Sequence, residues 1–336
     1  SGNQNCTETR VLDVEGVAPS INFSLPTPPN WTFWPSATSI FVNLSTRDES
    51  DHYSFVDFDR DVKVWMKMED VEGGGNPLDS SSYGNHGTKN NDASRIDEGV
   101  YGKGFTFDGI DDWVDVPYGA GIDPTVNLHS FSVWVKKGGA LTDSDLVFST
   151  GRSSYGAAER IYLGTYSGDW KIGIQGNAWF DLGISPPGTT EVTSEWTHLV
   201  VVMDGTEALL YINGIYDYKK PYTSYTTFED IDLGRNPDIV GEGDFEFTGD
   251  IDEFIVFNRA LSESEIKALY SASANQYYND FTGLSPGIYN FTGYAVDKFG
   301  NVNQTEKRFV GIGLDVFPPE IDFTSLTPAS GTVTTD

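Results

Sequence analysis

The sequence predicts an all-β chain in which one β-sandwich interrupts another. Three features carry that expectation: strand patterns cut by tight-turn residues through the middle of the chain, one explicit helix start, and near-identical words at the two ends.

The clearest strands lie in "WTHLVVVMDGTEALLYINGIYDYKK", residues 196–220, which reads as strand, Asp204-Gly205, strand, Asn213-Gly214, strand. Asp-Gly and Asn-Gly supply the positive φ that tight hairpin turns need, so the stretch predicts an antiparallel meander. "SFSVWVKK" alternates Phe131, Val133 and Val135 against Ser132, Trp134 and Lys136, the pattern of a strand with one buried face. The helix start is in "LSESEIKALY". There Ser262 is placed to cap and Glu265 to reciprocate three residues later, while Leu261 and Ile266 hold the positions of a hydrophobic staple. Helical periodicity is otherwise almost missing from 61–272, so this segment reads as all-β with a terminal helical turn.

The end words align at a constant spacing. Gly2, Asn3, Asn5, Thr7, Glu8 and Arg10 fall on Gly300, Asn301, Asn303, Thr305, Glu306 and Arg308. After a two-residue shift, Pro19, Ile21, Phe23, Thr27 and Pro28 fall on Pro319, Ile321, Phe323, Thr327 and Pro328. Two collinear blocks predict a tandem repeat with a period of about 300 residues. Each flank of 61–272 offers too few strands to bury a sheet face alone. Joined, the flanks make one sandwich, and an insert costs little when its own first and last strands, here "VKVWMKME" and "GDIDEFIVFNRAL", lie side by side. The expected parts are 1–18, the last strand of a preceding unit; 19–60, the first part of the flank sandwich; 61–272, the insert; 273–316, the second part; and 317–336, the first strand of the next unit.

These words also carry a family likeness. "LDSSSYGNHGT", "GKGFTFDGIDDWVDVP", "FSVWVK", "EWTHLVVVMDGTEALLYINGI" and "FTGDIDEFIVFNRALSESEIKALY" follow the order seen in laminin G-like, concanavalin A-like jelly-roll domains, which 61–272 resembles. The flanks resemble bacterial-type Ig-like repeats, whose closing strands often read like "LSPGIYNFTGYAVDKFGN". Prokaryotic, especially archaeal, cell-surface proteins often combine the two. The resemblance implies a concanavalin A-like jelly-roll sandwich inserted into an Ig-like β-sandwich, often with a structural Ca2+ and sometimes glycan binding, and it fixes no single activity.

Composition narrows the function. A net charge of -29 repels nucleic acid and anionic membranes and leaves many carboxylates free for hard cations. No apolar run approaches the length of a membrane span. Cys6 is the only cysteine, so no disulfide forms within the chain. Six N-x-[ST] sequons stand at Asn5, Asn22, Asn30, Asn43, Asn290 and Asn303, all outside 61–272, as expected of a glycan-bearing extracellular surface protein.

The metal hypothesis joins Asp79 and Asn85, then Asp108, Asp111 and Asp112, then Asp250 and Asp252 as oxygen donors for a structural Ca2+, with Asp79, Asp111 and Asp252 the first choices. The resemblance places their loops near the paired terminal strands. "EGDFE" sets Glu242, Asp244 and Glu246 in an alternation like that of concanavalin A-like glycanases, although Gly243 breaks their pattern. "GLSPG" at 283–287 matches a serine-hydrolase elbow but puts Pro286, which has no N–H, where the oxyanion hole needs a donor. Tyr155, Tyr166, Trp170, Trp179, Tyr222 and Tyr225 are candidate sugar-stacking residues, and His52, His86, His129 and His198 show no ligand spacing. The expectation is a non-catalytic extracellular structural protein, one period of a tandem-repeat surface layer or filament that assembles with copies of itself. The alternatives are a Ca2+-dependent glycan-binding adhesin and a glycanase-like enzyme.

Overall fold

The computed structural model describes residues 16–117, 128–141, 144–150, 160–175, 190–222, 230–235, 245–273 and 276–313. The first flank supplies β1 (Ser20–Phe23), β2 (Thr32–Trp34), β3 (Ile40–Arg47) and β4 (His52–Phe58). Next come β5 (Val62–Met66), β6 (Val71–Glu72), β7 (Asn76–Pro77), β8 (Thr88–Asn90), β9 (Ser94–Ile96), β10 (Gly104–Asp108), β11 (Trp113–Val116) and β12 (Leu128–Lys137). They are followed by β13 (Leu146–Thr150), β14 (Arg160–Tyr166), β15 (Asp169–Gln175), β16 (Thr197–Asp204), β17 (Glu207–Ile212), β18 (Ile215–Pro221), β19 (Ile231–Leu233) and β20 (Thr248–Phe257). Helix α1 (Glu263–Tyr270) leads to β21 (Tyr278–Phe281), β22 (Gly287–Asp297), β23 (Val302–Gln304) and β24 (Arg308–Ile312).

The middle strands form two packed sheets. One runs β18-β17-β16-β12-β20-β10-β9, with β5 also on β20; the other runs β15-β14-β13-β19-β11-β8. Their inner faces enclose one large core, in which Phe131, Val133 and Val135 of β12 meet Phe148, Leu163, Trp170 and Phe254. The alternation read from "SFSVWVKK" is therefore the inward face of a central strand. The meander β16-β17-β18 forms as expected, with Asn213 and Gly214 at φ 50 and 75 in its second turn. β5 lies antiparallel on the second half of β20, so the first and last strands of this sandwich are neighbours.

The flank strands pair with one another across the intervening sequence. β3 holds β1 on one edge and β21 on the other, and β22 joins β4 on one side to β23 and β24 on the other. β2 adds to β24 in parallel. Ile21, Val42 and Phe281 from the small sheet pack on Val56, Phe291 and Val310 from the larger one. The result is a second, smaller two-sheet sandwich.

A third apolar cluster joins the two sandwiches. Trp65, Trp134, Val200 and Ile255, on the outer face of the large sheet, meet Tyr53, Phe55 and Val296 of the small sandwich, with Ile266 and Leu269 of α1 beside them. The chain crosses this seam twice, and one ion network holds both crossings. Arg259, just after β20, makes two hydrogen bonds of 2.7 Å to Glu265 and a close ion pair with Asp61, at the turn into β5. The Asp61 carbonyl accepts the N–H of Asn258 (2.9 Å), and Tyr277 on the return crossing donates to Glu265 (2.7 Å). Glu265 also accepts the Ser262 N–H at 3.0 Å, so the residue that reciprocates the helix cap is the one that ties the crossings together. Leaving a buried acid without its cation costs about 3–5 kcal/mol. Arg259→Ala is accordingly expected to lower unfolding stability by about that amount in a denaturant titration, whereas the exposed-pair variant Lys267→Ala should change it by well under about 1 kcal/mol.

Candidate functional site

The seven predicted metal donors fall into separate local roles. Asp79 accepts the Trp65 and Ser81 N–H groups on Oδ1 (both 2.8 Å) and the Asn85 N–H on Oδ2 (2.7 Å); Asn85 in turn donates its Nδ2 to the Lys63 carbonyl (2.9 Å). This pair builds the loop after β7 against β5. Asp252 is buried, its Oδ2 accepting the Val100 and Tyr101 N–H groups at 2.9 and 3.0 Å and its Oδ1 the Glu253 N–H at 2.8 Å. Asp250 lies on β20 opposite Thr106 and Lys136. Asp108, Asp111 and Asp112 are the ones brought together: carboxylate oxygens from all three lie within 4.8 Å of one another, and no other such group of three occurs among the described residues. Asp112 is buried and shapes this turn, accepting the Asp92 and Asp108 N–H groups at 2.8 and 3.1 Å, while Asp108 and Asp111 are exposed. These are hard oxygen donors of the type Ca2+ takes.

Five of the six sequon asparagines are described, and Asn5 lies outside the described residues. Asn22, Asn30 and Asn303 are exposed, and Asn43 and Asn290 are half-buried. Asn43, Asn290 and Asn303 donate Nδ2 to the Leu25 carbonyl (3.1 Å), Asp59 Oδ1 (3.0 Å) and the Pro19 carbonyl (2.9 Å) respectively.

Among the aromatic candidates, Trp170 is fully buried in the large core, Tyr222 packs at its margin, and Tyr166 is 47% exposed at the β14–β15 hairpin. Tyr155, Trp179 and Tyr225 lie outside the described residues, as do Glu242 and Asp244. Glu246 takes the neighbouring Phe245 N–H at 3.2 Å. Ser285 is held in a turn by Tyr289, which donates to its carbonyl (2.8 Å). His198 is buried against Ser132 Oγ (2.8 Å), and burial pushes it down to about 3, so it is a neutral packing group.

Sequence reading missed the buried acidic centre of the seam. β12 and β20 change register between Ser132 and Trp134, leaving Glu253 as an extra residue with φ 49. A bulge re-aims its side chain, and the Glu253 carboxylate enters the joint, where Tyr53 Oη donates at 2.5 Å and Trp65 Nε1 at 3.2 Å. Burial raises Glu253 from 4.5 to about 8, and burial beside Glu253 likewise raises Asp252. The only sequence signal was a pair of acids inside an apolar strand, "DIDEFIVF". The folded state holds protons here that the unfolded chain releases near 4.5. Stability from this centre is therefore complete below about pH 4.5 and lost as pH rises through about 8. Glu253→Gln should flatten the fall in denaturant midpoint across that window; an unchanged slope would contradict the assignment.

Residues 107–267 match the family model described as the concanavalin A-like lectin/glucanases superfamily, of the laminin G type. With its two packed sheets, the middle of the chain is a concanavalin A-like jelly-roll domain. Solved structures similar to the chain include domain 4 of a GH43 extracellular arabinanase from Geobacillus stearothermophilus, in complex with arabinotriose. It is 21% identical with a TM-score of 0.47, and the match covers 66% of this chain and all of that one. The botulinum neurotoxin serotype D binding domain (17% identical, TM-score 0.47) is matched over 63% of this chain and 52% of its own length. The binding domain of Paraclostridial Mosquitocidal Protein 1 (14% identical, TM-score 0.47) is matched over 62% and 52%. The chain thus spans about half the length of these two toxin domains. No curated protein matches the chain.

Proposed function

We propose that this chain is one period of an extracellular tandem-repeat structural protein, in which an Ig-like module, the small sandwich, carries the jelly roll as an insert. One observation carries the reading. The two words repeated at the ends of the chain have their folded copies at 19–28 and 300–308, and in the small sandwich these copies grip each other. Asn303 donates to the Pro19 carbonyl (2.9 Å), Arg308 donates to the Pro28 carbonyl (2.8 Å), and the Arg308 guanidinium lies 4.5 Å from the Phe23 ring. Thr27 and Thr305 also recur, and each fastens a strand through its Oγ1, to Asn43 (2.7 Å) and Gly293 (3.0 Å).

Residues 2–10 therefore repeat one half of a closure and 319–328 the other, while the partners of both halves are already engaged at 19–28 and 300–308. On this reading a preceding and a following sandwich supply the partners of 2–10 and 319–328. The sequons support an exported, surface-exposed chain, and no helix among the described residues is long and apolar enough to cross a membrane. On a denaturing gel of material from its own cells, this protein should run far above 36.9 kDa as one long polypeptide; a band only near that mass would overturn the covalent array.

The family match over 107–267 favours a second reading, a Ca2+-dependent glycan-binding adhesin, with the ion at Asp108, Asp111 and Asp112. A glycan array probed with the intact chain should then give hits in Ca2+ that disappear with chelator and in Asp111→Asn. No hits in either condition would remove this reading. We propose no catalytic role: Pro286 denies "GLSPG" its oxyanion donor.

A further inference from the structure

We propose that Asn22 and Asn30 are the described sequon asparagines that carry N-linked glycan, and that the Asn30 glycan lies on an aromatic platform made by Trp31 and Phe309. This rests on the reading of the chain as an exported glycoprotein. Attachment forms a bond from asparagine Nδ2 to the anomeric carbon of a lipid-phosphate-linked oligosaccharide. The anomeric C–O bond breaks, its electron pair leaves with the phosphate, and Nδ2 gives up one proton to a base of the transferase. The acceptor nitrogen must be approachable and must have room for a sugar ring.

The fold sorts the sequons on that criterion. Asn43 is half-buried; its Nδ2 is turned onto the Leu25 carbonyl, and its Oδ1 is buried without a partner. The Nδ2 of Asn303 closes the small sandwich through Pro19, and that of Asn290 is held by Asp59. On each of these three one Nδ2 hydrogen is already committed to a contact the fold uses, so a sugar must take the place of the other and fit beside that contact. Asn22 is exposed on β1, an edge strand, opposite Ser45, and its side chain makes no hydrogen bond to the described residues. Asn30 is exposed and anchored by its other atom: Oδ1 accepts the Phe309 N–H at 2.8 Å, while Nδ2 donates to none of the described residues.

That anchoring fixes the surroundings of Asn30. The Trp31 N–H donates to the Phe309 carbonyl (2.7 Å), and Thr32, the hydroxyl residue of the sequon, is held by its bond to the Pro29 carbonyl (2.7 Å). The Trp31 ring stacks on Phe309 at 4.8 Å between centroids and 11° between planes, and Trp31 remains 57% exposed. It is thus a large apolar face immediately after the acceptor, of the kind that packs on the C–H face of a sugar ring.

The test has two arms. Glycopeptide mass spectrometry of the protein from its own cells should find sugar on Asn22 and Asn30 and much lower occupancy at Asn43, Asn290 and Asn303. Sugar on those three and none on Asn22 or Asn30 overturns this inference and leaves the exported-glycoprotein reading standing; no sugar on any site overturns both. In the second arm the chain is produced with and without glycosylation. The glycan should raise the melting temperature by about 2 °C or more, and that gain should vanish in Trp31→Ala. An equal gain in both chains overturns the platform.

Discussion

The structure depends on how its chain passes between two sandwiches without leaving a loose joint. Arg259 solves that problem by binding Asp61 on the outward crossing and Glu265 on the return, with Tyr277 closing the far side of Glu265. A guanidinium suits this position because its planar fork engages a carboxylate bidentately and still offers a further N–H to another. The charges are partly withdrawn from water, so the arrangement holds only while every member is present. Its contribution is to fix geometry: strand ends, helix start and interface are referred to one cation.

The apolar seam follows from that alignment. Once β4 and β22 are laid across the outer face of the jelly roll, Phe55, Trp65 and Tyr294 bury one another in edge and stacked contacts. Into this surface the bulge at Glu253 places a carboxyl group, answered from the small sandwich by Tyr53 and from the jelly roll by Trp65. An apolar residue would pack there without the desolvation cost. A hydrogen-bonded acid instead penalises any displacement of the sandwiches that would leave it unpaired. Gly300 belongs to the same joint, since a Cβ there would meet the Glu69 carboxyl at 2.7 Å, and its counterpart in the opening word is also glycine, Gly2.

Much of the fold was legible because its signals are local. Asn213-Gly214 specifies a turn, Ser262 with Glu265 specifies a helix start, and Phe131, Val133 and Val135 specify a buried strand face. The metal donors were not legible in the same way, because turn-forming and cation-binding carboxylates share residue types and spacing. Asp79 spends its oxygens on Trp65, Ser81 and Asn85 inside the fold, whereas Asp108, which takes the Ile110 N–H at 2.8 Å, and Asp111 are exposed, and only the folded backbone separates the two cases. The seam was hidden for another reason. Tyr53 and Glu253 stand two hundred residues apart, and the bulge that makes them meet is a property of the pairing between β12 and β20, with no motif of its own.

The twice-crossed seam holds the two sandwiches at a fixed attitude to each other, as the proposed role in a surface array requires. The most direct measurement is scanning calorimetry of the 336-residue chain. If the ion network and the seam make one body of the two sandwiches, the described fold melts in a single transition whose calorimetric and van't Hoff enthalpies agree. Two separable transitions, one for each sandwich, would contradict the account.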